Sequence, residues 1–196
     1  MNKETRIAEI RVADEEKMII EGYAVRFDEE TLIGTKEHGF IETISRGSLT
    51  CANMKDVPLK YNHQDNYLVL ARTRNKSLEL SIDEVGLKVK AELLDTQSNR
   101  DIYKMVKNGL LDKMSFAFTV EKQQWNREGK IPIRSIEEID RLYDVSIVDV
   151  PAYDGTSVYA RSMEMFMLEN NKVEVEANKR SEEILRKKIK IKGEII

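Results

Sequence analysis

The most constraining stretch of this sequence is the change of period between Ser98 and Lys122. From Ser98 to Asn108, Ile102, Met105 and Val106 recur at helical spacing. Lys104 and Lys107 suit the negative end of a helix dipole, and Gly109 suits its stop. Ser98, three residues before Asp101, resembles a capping box. Then Lys113 to Lys122 (KMSFAFTVEK) alternates strictly. Met114, Phe116, Phe118 and Val120 share one parity; Ser115, Ala117 and Thr119 share the other. Such a strand needs a sheet to either side, which makes this an α+β chain dominated by strands.

Other segments read as strands, and in one of them Val57, Leu59, Tyr61 and His63 share one parity. Met18 to Arg26, Val57 to His63, Leu68 to Arg72, Leu78 to Ile82, Gly86 to Leu94 and Val145 to Val150 read as strands, and Ile41 to Ser48 as a short strand followed by a turn at Gly47. Gly22 within the first marks a bulge or a close backbone approach. Asp83 to Gly86 reads as a hairpin connection whose glycine supplies unusual dihedrals. Asp28 to His38 reads as a loop.

After Ser162 the composition shifts. Met163 to Leu168 is an apolar, helix-like cluster, and residues 169–196 are half charged. The expected division is a β domain over 1–161 and a charged helical or disordered extension over 162–196. The extension is either a solvated tail or a targeting or self-cleaved segment.

Composition narrows the function. The 32 basic and 35 acidic residues give a net charge of -3, which weighs against bulk binding to nucleic acid. No apolar run approaches the roughly 18 residues of a membrane span, and Met1 to Glu9 is charged throughout, unlike a secretory signal. Cys51 is the single cysteine, so no internal disulfide forms, in keeping with a reducing compartment. With His38 and His63 as the only histidines, no structural zinc site is expected, nor any other metal or cofactor.

His63 and Ser115 are the residues that could carry chemistry. A serine hydroxyl needs a base to take its proton as it attacks a carbonyl, and histidine, with an ordinary pKa of ~6.5, suits the task. A carboxylate on the other ring nitrogen would complete a triad. Each residue also has a structural reading: Ser115 as a solvent-facing strand serine, His63 as a core histidine, Glu137 and Glu138 as a solvated pair. No Gly-x-Ser-x-Gly elbow surrounds Ser115.

The blocks Gly22-Tyr23-Ala24-Val25-Arg26-Phe27, Glu42 to Ser48, Val57 to His63, Leu70 to Thr73 and Asp83 to Leu87 occur in a recognisable order. So do Asp95-Thr96 with Arg100-Asp101, Lys113 to Phe118, and Asp144 to Val148 with Pro151-Ala152-Tyr153. From Ile19 to Arg161 this order resembles the tailed-phage prohead serine proteases, which are related in fold to the herpesvirus assemblins. The resemblance implies a closed or partly closed β-barrel with a few surrounding helices. It implies an endopeptidase that cleaves the scaffolding portion of the major capsid protein, and itself, inside the assembling procapsid in the bacterial cytoplasm.

The resemblance also implies site residues. The family's histidine falls on His63 and its serine on Ser115. Its acid, just before the Asp-Val-Ser strand, falls on Glu137 or Glu138. Glu138 is preferred because it precedes an aliphatic residue, and a bulge between Ile136 and Ile139 would decide which glutamate points inward. His38 is a further candidate for the third member, since assemblins use a second histidine. Arg141 reads as a surface arginine, and backbone N–H groups are the expected oxyanion donors. A homodimer is allowed by the assemblin kinship alone. The competing reading is a non-catalytic capsid assembly or scaffolding module on the same fold. Convergence of His63, Ser115 and an acid would separate the two.

Overall fold

The computed structural model describes residues 4–14, 17–65 and 69–149. Ten strands and one α-helix make up these residues, in the order β1 (Glu4–Asp14), β2 (Ile19–Arg26), β3 (Thr31–Ile33), β4 (Phe40–Ile44), β5 (Pro58–Tyr61), β6 (Ala71–Arg72), β7 (Leu78–Ile82), β8 (Gly86–Glu92), α1 (Gln97–Lys107), β9 (Lys113–Asn126) and β10 (Ile133–Val148). The sheet order is β3-β4-β10-β9-β1-β2-β8-β7, with β5 on β10 and β6 on β5. The path has two ends, β3 and β7, that do not pair with each other. The molecule is therefore mostly β, as the alternation indicates, but the hydrogen-bonded sheet does not close into the expected barrel. One α-helix, rather than several, accompanies it among the described residues. The expected extension over 162–196 lies outside the described residues.

β9 and β10 form the central antiparallel pair, with Ser115 opposite Ser146 and Phe118 opposite Leu142. The other edge of β10 is occupied in turn by β4, paired parallel over Ile133–Ile136, and by β5, paired parallel over Val145–Ile147. Between them Asn53 bridges to Arg141, and the Ile139 amide donates to the Ser48 carbonyl. β10 is thus covered along nearly its whole length. Asp144, Val145, Ser146 and Ile147 are also all buried, so both faces of this stretch of β10 are covered as well, and alternation fails there as an exposure signal.

β1 is not among the strands that alternation predicts. Its sequence carries Glu4, Arg6, Glu9 and Arg11, yet it pairs with both β2 and β9 in the middle of the sheet. Two of these charges are buried in a four-residue network. Arg6 donates to Glu4 Oε2 at 2.8 Å and to Glu42 Oε2 at 2.6 Å. Arg134 donates from Nη2 to Glu4 Oε1 at 2.7 Å and from Nη1 to Glu42 Oε2 at 2.9 Å. The Arg6 guanidinium also lies 5.5 Å from the Phe118 ring centroid. Burial opposes charge on Glu4, but the hydrogen bond from Arg134 and the charges of Arg6 and Arg134 outweigh it and hold its carboxyl below the usual range. Burial likewise opposes charge on Arg6, and Glu42 and Glu4 outweigh it, so its pKa is raised. A buried charge is tolerated only when paired and hydrogen-bonded, and this network meets that condition for β1.

Local details adjust the sequence reading. The N-cap of α1 is Thr96, whose side chain accepts from the Asn99 amide at 3.3 Å, so Ser98 already lies inside the helix. Gly109 has φ +69, as its place after the helix requires. Gly22 is a close approach: a Cβ there would lie 2.1 Å from the Glu9 carbonyl oxygen across the β1–β2 ladder. Gly86 is the same case and has no positive φ. A Cβ there would lie 1.8 Å from the Val25 carbonyl oxygen, so contact rather than dihedral freedom demands glycine. The Asp28 to His38 loop contains the short strand β3.

Candidate active site

Three strands converge on His63. β5 delivers the chain to Tyr61, after which Asn62 and His63 have φ of 50° and 55°. The Gln64 amide donates to the Tyr61 carbonyl at 3.1 Å. Two positive-φ central residues closed by that bond are the mark of a type I′ turn, and asparagine enters the left-handed region more readily than most residues. The turn is tied to the end of β10. The Asn62 amide donates to the Ile147 carbonyl at 2.9 Å, and the Asp149 amide donates to Asn62 Oδ1 at 3.2 Å. The turn sets the imidazole against Ser115 of β9 and Asp144 of β10.

Ser115 comes from β9, where it is 2% exposed. Its Oγ lies 2.7 Å from His63 Nε2. The other ring nitrogen, Nδ1, hydrogen-bonds to Asp144 Oδ1. Asp144 is fully buried on β10, and its second oxygen, Oδ2, lies 3.8 Å from Lys60 Nζ. Lys60 in turn pairs with the exposed carboxylate of Asp65 at 2.5 Å. A cation therefore faces the buried carboxylate on the side away from the histidine. The arrangement is a hydroxyl, an imidazole and a carboxylate in hydrogen-bonded series, suited to moving a proton from the hydroxyl to the ring.

The structure brings His63 and Ser115 together as expected, but the carboxylate beside them is not the one favoured from sequence. Glu138 is exposed and pairs in register with Lys122, seven residues from Ser115 along β9 (115 to 122). At ~3.3 Å per residue that is roughly 20 Å away. Glu137 is half-buried and forms an ion pair with Lys122 at 2.8 Å. The bulge expected between Ile136 and Ile139 exists: the register shifts on either side of Glu138, so both isoleucines are buried while neither glutamate reaches the histidine. His38 is exposed after β3, with its amide donating to Thr35 Oγ1. Arg141 is exposed, its guanidinium 5.0 Å from the Tyr143 ring centroid.

Asp144, the carboxylate that meets His63, is passed over by the sequence reading, although it heads the Asp-Val-Ser block. The signal for it is chemical rather than periodic. An aspartate followed by Val-Ser-Ile-Val in a central strand is a charge where charges are almost never buried without a partner. Ser146, two residues on, escapes in the same way. It sits against the same histidine, its Oγ 3.1 Å from His63 Nδ1.

Comparisons with known proteins give two matches. A family described as caudovirus prohead serine protease matches residues 4–169. A prohead protease of Escherichia phage T5 is 29% identical over 155 residues, covering 74% of this chain and 72% of its own. No solved structure matches significantly. The family match spans far more than half of the 196 residues, so this chain belongs to the caudovirus prohead serine proteases and serves as a prohead protease in capsid maturation.

Proposed function

We propose that His63, Ser115 and Asp144 are the catalytic triad of a serine endopeptidase. The observation that carries this reading is the placement of His63 between Ser115 Oγ and Asp144 Oδ1. An ionised carboxylate only accepts hydrogen bonds, so the proton on that side belongs to Nδ1 and Nε2 is left free to accept. His63 Nε2 then takes the Ser115 proton as Oγ attacks the scissile carbonyl. Asp144 orients the ring and stabilises the imidazolium that forms. His63 returns the proton to the leaving amine, and water hydrolyses the acyl-Ser115 ester by the same base. Backbone N–H groups are the natural donors to the oxyanion.

The substrate in this reading is the scaffolding portion of the major capsid protein, together with the protease's own chain, within the procapsid. Kinship with the assemblins belongs to the same proposal and rests on the ordered sequence blocks. A non-catalytic scaffolding module would gain nothing from burying a serine and an aspartate on either side of one histidine, and this favours the enzyme. Intact-mass spectrometry of the chain co-expressed with the capsid protein tests the reading. Defined truncations should appear with the native chain and vanish with Ser115→Ala. Identical truncations with both would refute it.

A further inference from the structure

We infer that Ser146 is a positioning residue that locks the tautomer and ring orientation of His63; this rests on the triad reading above. The Ser146 hydroxyl touches His63 twice and Asp144 once. It accepts from the His63 backbone amide at 3.2 Å, lies 3.1 Å from His63 Nδ1 and lies 3.1 Å from Asp144 Oδ1. Ser146 is fully buried, so no solvent competes for these contacts. It is also the register partner of Ser115 on the adjacent strand. The residue that fixes the histidine is thereby fixed relative to the nucleophile by the β9–β10 ladder itself.

Counting protons shows what the hydroxyl decides. Ser146 has one hydrogen and two lone pairs. One lone pair takes the His63 amide, whose hydrogen cannot move. The hydrogen then has two possible acceptors, Asp144 Oδ1 and a deprotonated Nδ1. Donation to Asp144 leaves the second lone pair beside Nδ1, whose one hydrogen, bonded to Asp144 Oδ1, can be shared with it as a three-centre contact, whereas a bare nitrogen lone pair would face two oxygens and be repelled. The Nδ1–H tautomer, which leaves Nε2 able to accept from Ser115, is therefore the one in which all three groups are satisfied.

The anchoring of the backbone matters equally. His63 sits in a two-residue left-handed turn, and the main-chain bonding to β10 reaches Asn62, one residue short of it. The Ser146 hydroxyl connects the His63 main chain to β10 at the level of the triad. Without it, the ring keeps its carboxylate partner but loses the contact that sets its height over Ser115. A displacement of about 1 Å in such a group can cost on the order of a hundredfold in rate.

The test uses the full chain and a fluorophosphonate probe, which reads activation of the serine without needing the natural peptide. Labelling rate is measured for the native chain, Ser146→Ala, Asp144→Ala and the double variant, with thermal midpoints recorded for each. The expected result is a fall of roughly ten- to a hundredfold for Ser146→Ala, with no further fall when it is added to Asp144→Ala, since groups that act as a unit are not additive. The downfield proton resonance of the His63 Nδ1–H should move or vanish in Ser146→Ala while the thermal midpoint stays near that of the native chain. If Ser146→Ala does not fold, Ser146→Cys takes its place, since it keeps the shape but hydrogen-bonds weakly. A native labelling rate in the Ser146 variant would overturn the proposal. So would an equal fall in both backgrounds, because that marks a packing defect independent of the triad. Undiminished labelling of Ser115→Ala would instead remove the triad reading, and this proposal with it.

Discussion

Ser115 and Ser146 stand opposite each other on neighbouring antiparallel strands, and the His63 ring contacts the hydroxyls of both, one at each nitrogen. Two sheet partners therefore define where the imidazole lies. β10 supplies Asp144 and Ser146 two residues apart, on one side of the strand. β9 supplies Ser115. β5 is held parallel to β10 so that its terminal turn falls above them. The long β10 strand is what unites these pieces, since both β4 and β5 dock along its one edge.

Replacement of Asp144 by asparagine should preserve the fold and lower the rate of serine labelling by roughly a thousand- to ten-thousandfold, because the amide favours the wrong histidine tautomer. Glu138→Gln should leave the rate near that of the native chain, since Glu138 is exposed and pairs with Lys122. The contrast between the two variants, in one fluorophosphonate assay, distinguishes the carboxylates directly.

The buried network around Arg6 is expected to matter for stability. Glu42→Ala would leave Arg6 and Arg134, both nearly inaccessible, sharing the carboxylate of Glu4 after losing that of Glu42. Breaking a buried ion pair by removing one partner costs about 3–5 kcal/mol. Urea denaturation should show the midpoint falling with little change in slope.

The same network sets an acid limit. Glu4 has its pKa lowered in the folded state, against the pull of burial, chiefly by the hydrogen bond from Arg134. The folded chain therefore releases this proton more readily than the unfolded one. Its contribution to stability is fully present above the ordinary glutamate pKa of ~4.3 and is lost as pH falls through the lower folded value. Thermal midpoints measured from pH 7 down to acid should drop in that range, and Glu4→Gln, less stable at neutral pH, should show a shallower acid dependence.

Gly22→Ala should destabilise the sheet by about 1–3 kcal/mol, the usual cost of forcing an atom into a filled site. The clash is with the backbone of β1 at Glu9 and Ile10, which cannot swing aside as a side chain would. Chemical denaturation measures this. The change should also leave serine labelling nearly intact at low denaturant, because β2 lies two strands from β9.

Much of this architecture is legible in the amino-acid sequence. The alternation of Lys113–Lys122, the helix ending at Gly109 and the glycine at 22 each leave a local mark that packing does not erase. His63 and Ser115 lie within recognisable blocks. Two features escape for related reasons. β1 is hidden because its charges look solvated, and only the long-range pairing with Glu42 and Arg134 makes them a core element. Asp144 is hidden because β10 shifts register between Leu142 and Asp144 and again around Glu138, so counting by twos along the strand loses its phase. Parity selects a face only where pairing is regular. A bulged strand buried on both faces has to be read by which polar residues can find partners when buried.

The most direct measurement is peptide mapping of the full chain after fluorophosphonate treatment. With Ser115 as nucleophile and His63 as its base, one covalent adduct is expected, on the peptide containing Ser115, and it should be lost in His63→Ala and Ser115→Ala. An adduct on another residue, or labelling of Ser115 that is unchanged in His63→Ala, would contradict the triad.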